Sequence, residues 1–130
     1  MVLKVELKPF GKIIVGESII TNDGNRARII IEGDAPVLRE KDILRPEEAD
    51  TPCKKIYLLI QMMYLAVDPR KHHELYFQMI NDVQAAAPST MPLIDTINNF
   101  LLAGENYKAL KSANKLIAYE KELMENATSP

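Results

Sequence analysis

Seven of the eight cationic side chains in the first fifty residues, Lys4, Lys8, Arg26, Arg28, Arg39, Lys41 and Arg45, are the groups in this chain whose type and spacing could do chemistry. They fall on strand-like runs or at their ends, where two-residue alternation can gather them on one sheet face, and guanidinium and ammonium groups so gathered hold phosphates. Other constellations are weaker. His72 and His73 are adjacent, so on a helix they project about 100° apart and do not share a metal; a surface or interfacial role is expected for them. Cys53 stands beside Lys54 and Lys55 near a helix start, a setting that lowers a thiol pKa, but no acid-base partner accompanies it and a plain buried thiol is expected. Lys108, Lys111 and Lys115 form one helical stripe, which reads as a solvated face. A glycine-rich phosphate loop, a nucleophile elbow and paired histidines at i, i+4 are all missing, so an enzyme is not expected, nor a metal or other cofactor.

Composition limits how those cations can act. Sixteen Lys and Arg against eighteen Asp and Glu leave a formal charge of -2, so no global positive field recruits a polyanion. Residues 1–50 carry eight basic and ten acidic groups and residues 51–130 eight of each, so any polyanion site must be a local cluster. The sheet half holds one aromatic residue, Phe10, which disfavours a module that stacks single strands on several rings. One cysteine in 130 residues excludes a disulfide-stapled scaffold. The amino terminus alternates charged and apolar residues where a secretory signal would be continuously apolar, and Ile56 to Val67 is too short to span a bilayer. A cytoplasmic protein without a membrane segment is expected.

The elements that must position these groups show two periodicities. In the first half Leu3, Val5 and Leu7 alternate with Lys4, Glu6 and Lys8, predicting a half-buried strand. Lys12 to Val15 and Ser18 to Thr21 follow, with Gly16 as a bulge or corner between them. Asn22-Asp23-Gly24-Asn25 predicts the tip of a hairpin, because Asp-Gly suits the positive φ of tight turns, and the returning strand would run from Arg26 to Glu32. Val37 to Glu40 completes one small antiparallel sheet of four or five strands. Arg45 to Thr51 lacks either period and reads as the connector.

Thr51-Pro52 then supplies a capping hydroxyl and a first-turn proline for a helix to Leu65 that is apolar on nearly every face. Asp68-Pro69 starts a second helix to about Ala86 with an inward stripe of Leu75, Tyr76, Met79, Ile80 and Val83. A loop over 88–92 precedes a third helix from Pro92 to Ala103, stopped by Gly104. The fourth, Glu105 to about Glu125, carries Tyr107, Leu110, Ala113, Ile117 and Met124 on one side, and residues 126–130 are expected to fray. The predicted class is α+β: an amino-terminal antiparallel β module over 1–45 followed by a bundle of about four helices over 46–130. Met62, Met63 and Tyr64 lie on the most apolar helix, where they pack in the core or, if the bundle leaves them uncovered, form a homodimer or partner contact.

At Leu38-Arg39-Glu40-Lys41-Asp42-Ile43, Thr51-Pro52, Ile56-Tyr57 and Met62-Met63-Tyr64-Leu65 the chain resembles the flagellum biosynthesis repressor family, FlbT. Leu3 to Pro9, Tyr107 to Lys111, Lys115 to Ile117 and Tyr119-Glu120 agree with the same family, so the likeness covers nearly the whole chain. It implies a bacterial regulator acting after transcription, associating with the 5′ untranslated leader of flagellin mRNA and repressing translation or promoting decay. More faintly, Gly11, Ile14-Val15-Gly16-Glu17, Arg28-Ile29, Ala35-Pro36 and Arg39-Glu40 are similar to the CsrA carbon-storage regulators. In those small β dimers a basic first strand and an arginine after the last strand contact RNA. Arg39 matches that arginine, and Lys8 stands where a basic residue is expected, followed here by Pro9.

The resulting expectation is an RNA contact made by Arg39, Lys8, Arg28, Arg45 and Lys4, with Arg39 foremost because its planar fork can grip a phosphate or a guanine edge at two points. The domain roles follow: RNA binding for the β module, dimerisation or docking for the helices. The rival expectation is an adaptor or flagellin chaperone, in which Met62, Met63 and Tyr64 hold flagellin or another flagellar regulator and effects on RNA are indirect.

Overall fold

A computed structural model describes residues 1–128. The chain divides into two compact units, Met1–Ile43 and the remainder from Leu44. The first has strands, turns and one short 3-10 turn at Glu40–Asp42, the second helices and short helical turns, so the architecture is α+β with the sheets first.

The first unit has five strands: β1 Val2–Leu7, β2 Lys12–Val15, β3 Ser18–Thr21, β4 Ala27–Glu32 and β5 Val37–Arg39. They form two sheets and not the single one that alternation suggested: β1 pairs with β4, while β2 lies between β3 and β5, every pairing antiparallel. The tight hairpin is therefore at Gly16-Glu17, where Val15 faces Ser18 across the ladder. Gly16 has φ +61° while Glu17 stays at negative φ, the pattern of a II′ turn, whose first central position glycine occupies without strain. Asn22–Asn25 is no hairpin tip. It carries the chain from one sheet to the other, and Asn22 anchors it: the side-chain amide donates to the carbonyls of Leu7, Lys8 and Asn25, and its oxygen accepts from the Gly24 N–H. Those bonds satisfy the turn locally, leaving β4 free to pair with β1 instead of β3.

Between β1 and β2 the chain reverses at Lys8-Pro9-Phe10-Gly11. The Gly11 N–H donates to the Lys8 carbonyl at 2.9 Å, Pro9 fixes the first central φ, and Phe10 takes the second at φ +62°. This is a type II turn with a bulky side chain where glycine is usual, a placement that costs roughly 1–2 kcal/mol. The turn is clamped by the Asn22 backbone, which accepts from the Phe10 N–H at 2.6 Å and donates to the Gly11 carbonyl at 2.9 Å. Beneath it, Val5, Leu7 and Ile13 form the unit's core, with Leu3, Ile29, Ile31 and Val37 packed on them.

The second unit has four helices: α1 Pro52–Leu65, α2 His73–Ala86, α3 Met91–Leu102 and α4 Asn106–Thr128. Helix α1 is central, packing on α4 and α2, while α3 packs on α4. Its near-continuous apolar character has its cause there: Cys53, Ile56, Tyr57, Leu59, Ile60, Gln61 and Met63 are all buried. Short 3-10 turns at Pro46–Glu48, Pro69–His72 and Pro88–Thr90 occupy what the sequence marked as connector, helix start and loop. At Gly104, φ +75° lets the Glu105 N–H reach back to Phe100 O and the Gly104 N–H to Leu101 O, the paired bonds of a Schellman stop.

Two inward stripes differ from expectation. On α2, Tyr76, Ile80 and Val83 are buried but Leu75 is exposed and Met79 only half-buried; on α4 the buried line is Ala109, Leu110, Ala113 and Leu116, leaving Tyr107 and Met124 exposed. Helical spacing identifies a face only to within a residue or so, and the neighbours decide which edge of the stripe is covered. Of the segment expected to fray, residues 126–128 are helical, and Ser129 and Pro130 lie outside the described residues.

Candidate nucleic-acid interface

Residues 1–43 contain seven basic and seven acidic groups and are neutral as a whole. The fold separates those charges. A cleft of about 460 Å³ on this unit is lined by Lys8, Lys12, Arg26, Arg39 and Lys41 together with Glu6, Glu40 and the edges of β1 and β2. Five of seven cations thus meet two of seven carboxylates, and the excess of positive charge is concentrated on one concave surface, where it acts more strongly than on a flat one.

Each carboxylate has a local task. Glu6 holds the Arg26 guanidinium at 3.0 Å, and Glu40 accepts the Lys12 backbone N–H at 3.2 Å. The Lys12 ammonium is directed to the Thr21 hydroxyl, 3.0 Å away. Among the described residues Lys8, Arg39 and Lys41 make no ion pair. Arg39 ends β5, and its register opposite Ile13 on β2 fixes where its side chain leaves the sheet. Of the two neighbouring acids, Glu40 shares the cleft and accepts from the Lys12 backbone, and Asp42 is buried; among the described residues neither forms an ion pair with Arg39.

The remaining sequence candidates fall elsewhere. Lys4 and Arg28 lie on the exposed face of the β1–β4 pair, Arg28 directly across from Glu6, and do not line the cleft. Arg45 falls in the second unit, where its guanidinium is 3.9 Å from Glu48. Conversely, Lys12, Arg26 and Lys41 line the cleft although none is among the five contacts expected. Arg26 and Lys41 belong to the cations on strands or strand ends, whereas Lys12 has no signal beyond its place at the start of an apolar run.

On the helical unit, Met63 is buried, Met62 is partly exposed, and Tyr64 is half-buried with its ring 5.5 Å from that of Tyr107. The three do not form one surface. Gln61, the single polar break in the apolar run, is buried and hydrogen-bonds both backbone groups of Leu44, at 2.8 and 3.1 Å, as a strand partner would. The lysine stripe on α4 is used locally: Lys108 pairs with Glu105, and the Lys111 ammonium sits 5.9 Å from the centre of the Tyr107 ring.

Cys53 is buried, but its thiol is shifted in the direction opposite to that suggested by its lysine neighbours. Burial, reinforced by the Glu120 carboxylate, pushes it up to about 12. Glu120 reaches from α4 to the start of α1, accepting from the Thr51 hydroxyl and from the Cys53 N–H at 3.0 Å. It therefore supplements the cap that Thr51 provides to the Lys54 N–H. Among the described residues no group of three His, Cys, Asp or Glu side chains is placed to hold a metal, and no helix is long and apolar enough to cross a membrane.

A small antiparallel β unit with a cationic cleft, followed in the chain by an α-helical unit, defines an α+β protein with a candidate polyanion interface. The family model described as flagellar protein FlbT matches residues 3–124, and the chain belongs to that family. It is 54% identical over 124 residues to the probable flagellum biosynthesis repressor protein FlbT 1 of Bradyrhizobium diazoefficiens, covering 95% of this chain and 85% of that relative. A Rhodopseudomonas palustris protein of the same description is 48% identical, with 95% and 98% covered. The flagellum biosynthesis repressor protein FlbT of Caulobacter vibrioides is 35% identical, with 99% and 94% covered. No solved structure matches.

Proposed function

We propose that this protein is a post-transcriptional regulator of flagellin synthesis that binds the 5′ untranslated leader of flagellin mRNA through the cationic cleft of its β unit. The flagellar role rests on the relatives, whose descriptions give repression of flagellum biosynthesis. The observation that carries the RNA contact is charge segregation: five of the seven cations of an otherwise neutral unit line one cleft, and Lys8, Arg39 and Lys41 have no carboxylate of their own there. Arg39 and Lys8 are the contacts assigned first, with Lys12 and Lys41 as further phosphate ligands; Lys4 and Arg28 extend the contact along the β1–β4 face. Occupation of the leader would repress by blocking ribosome entry or exposing the message to nuclease. The reading requires no catalytic group and no cofactor, and it places the protein in the cytoplasm, where the message is.

The deciding experiment uses purified protein and a fluorescently labelled flagellin leader RNA, with and without cell extract. Salt-sensitive binding by the pure protein is expected, and binding that appears only with extract would sink the reading. That outcome favours the second reading, an adaptor or flagellin-binding protein, which is supported by the exposure of Met62 on α1. A second copy of the chain is a further partner for either reading, tested by the mass of the purified protein in solution.

A further inference from the structure

We infer that Phe10 is a stacking post for one unpaired RNA base at the lip of the cationic cleft. The inference rests on the RNA reading above and specifies its ligand: unpaired rather than duplex RNA, with one base lying on a ring while the adjoining phosphates meet Lys8 and Lys12. Phe10 is 71% exposed, so its ring adds little to the core. Its backbone nevertheless sits at φ +62°, where an aromatic residue is strained and glycine would not be. Two backbone hydrogen bonds to Asn22 and one across the turn hold it there. Folding therefore gains little from this side chain and bears its strain, a combination that points to use of the ring by something outside the chain.

Position supplies the ligand. Phe10 is bonded directly to Gly11 and lies two residues from both Lys8 and Lys12, all three of which line the cleft. An exposed ring beside phosphate-binding cations is how unpaired nucleic acid is held, since every base offers a π face whereas a duplex hides its faces in the stack. One ring suits one base, in keeping with a unit that has no other aromatic residue and so no multi-base platform.

The test compares the unaltered full chain with Phe10→Gly, Phe10→Tyr and Arg39→Ala. The probes are a short unpaired RNA carrying 2-aminopurine and a fully paired RNA of equal charge, read by anisotropy and by 2-aminopurine fluorescence at one salt concentration. Phe10→Gly is expected to raise the melting temperature, because glycine relieves the turn, while weakening the unpaired probe at least about fivefold and abolishing the fluorescence change. Phe10→Tyr should keep both signals, and the paired probe should be indifferent to residue 10. Undiminished binding by Phe10→Gly, or equal losses on both probes, overturns the stacking post. If Arg39→Ala has meanwhile lost affinity, the cationic cleft survives that result. If the unaltered chain binds neither probe, cleft and post fall together.

Discussion

Replacing Arg39 by Ala removes one guanidinium from the cleft and should leave the fold intact, since that side chain is exposed and makes no ion pair among the described residues. Of the five lining cations Arg26 is held by Glu6, which leaves four for phosphates in the cleft, the minimum number, since contacts at Lys4 and Arg28 only steepen the salt dependence further. On unpaired RNA each neutralised phosphate steepens the plot of log affinity against log salt by about 0.7, so four contacts give a slope of about -3 and three about -2. Between about 50 and 200 mM salt the parent should thus weaken about fiftyfold and Arg39→Ala about twentyfold. At fixed salt the variant should bind the flagellin leader at least about fivefold more weakly, or about 1 kcal/mol, and more if the guanidinium grips a guanine edge with both arms. Anisotropy titrations across a salt series measure slope and affinity together, and unfolding in urea confirms that stability is unchanged. A parent slope near zero, or a variant with the parent's slope and affinity, would refute the assignment.

Three further outcomes concern the helical unit. Glu120→Ala deprives the Thr51 hydroxyl and the buried Cys53 N–H of their acceptor at the start of α1, and should lower unfolding free energy by roughly 2 kcal/mol in urea titrations. Gln61→Leu keeps the apolar volume but strands both backbone groups of Leu44, and a loss of roughly 1–3 kcal/mol is expected; a neutral result would show that water replaces the amide. The Cys53 thiol should resist alkylation in the native protein at about pH 8 and react once the chain is unfolded, as mass spectrometry would show. In the unfolded chain this thiol ionises near 9.0 and in the native chain near 12, so the native state binds the extra proton in between. Its contribution is therefore constant below pH 9 and is lost as pH rises towards 12; Cys53→Ala should remove that component from a comparison of stability against pH.

Much of the architecture can be read without coordinates. The alternation of Leu3, Val5 and Leu7, the Thr51-Pro52 start and the Gly104 stop each encode a local decision, because strand faces, helix caps and left-handed turns depend on residues within a few positions. Pairing is different. Asn22-Asp23-Gly24-Asn25 has the composition of a hairpin turn, yet β4 joins β1, since the choice among strand partners depends on where Leu7, Lys8 and Asn22 meet. The covered edges of α2 and α4 escape the sequence for a similar reason: Leu75 and Tyr107 fit the helical period, but no neighbour covers them fully.

The same division holds for the interface. From sequence come the excess of basic groups on strands and the near balance of charge that confines a polyanion site to a cluster. The sequence also carries the family likeness that singles out Arg39. Only the tertiary structure decides that Lys8, Lys12, Arg26, Arg39 and Lys41 share a cleft while Lys4 and Arg28, farther along the β1–β4 pair, do not line it and Arg45 belongs to the second unit. Coulombic fields add over distances in space, and residues more than thirty positions apart become neighbours only when strands pair; a linear charge pattern therefore states how many cations there are, whereas the fold sets which of them act together.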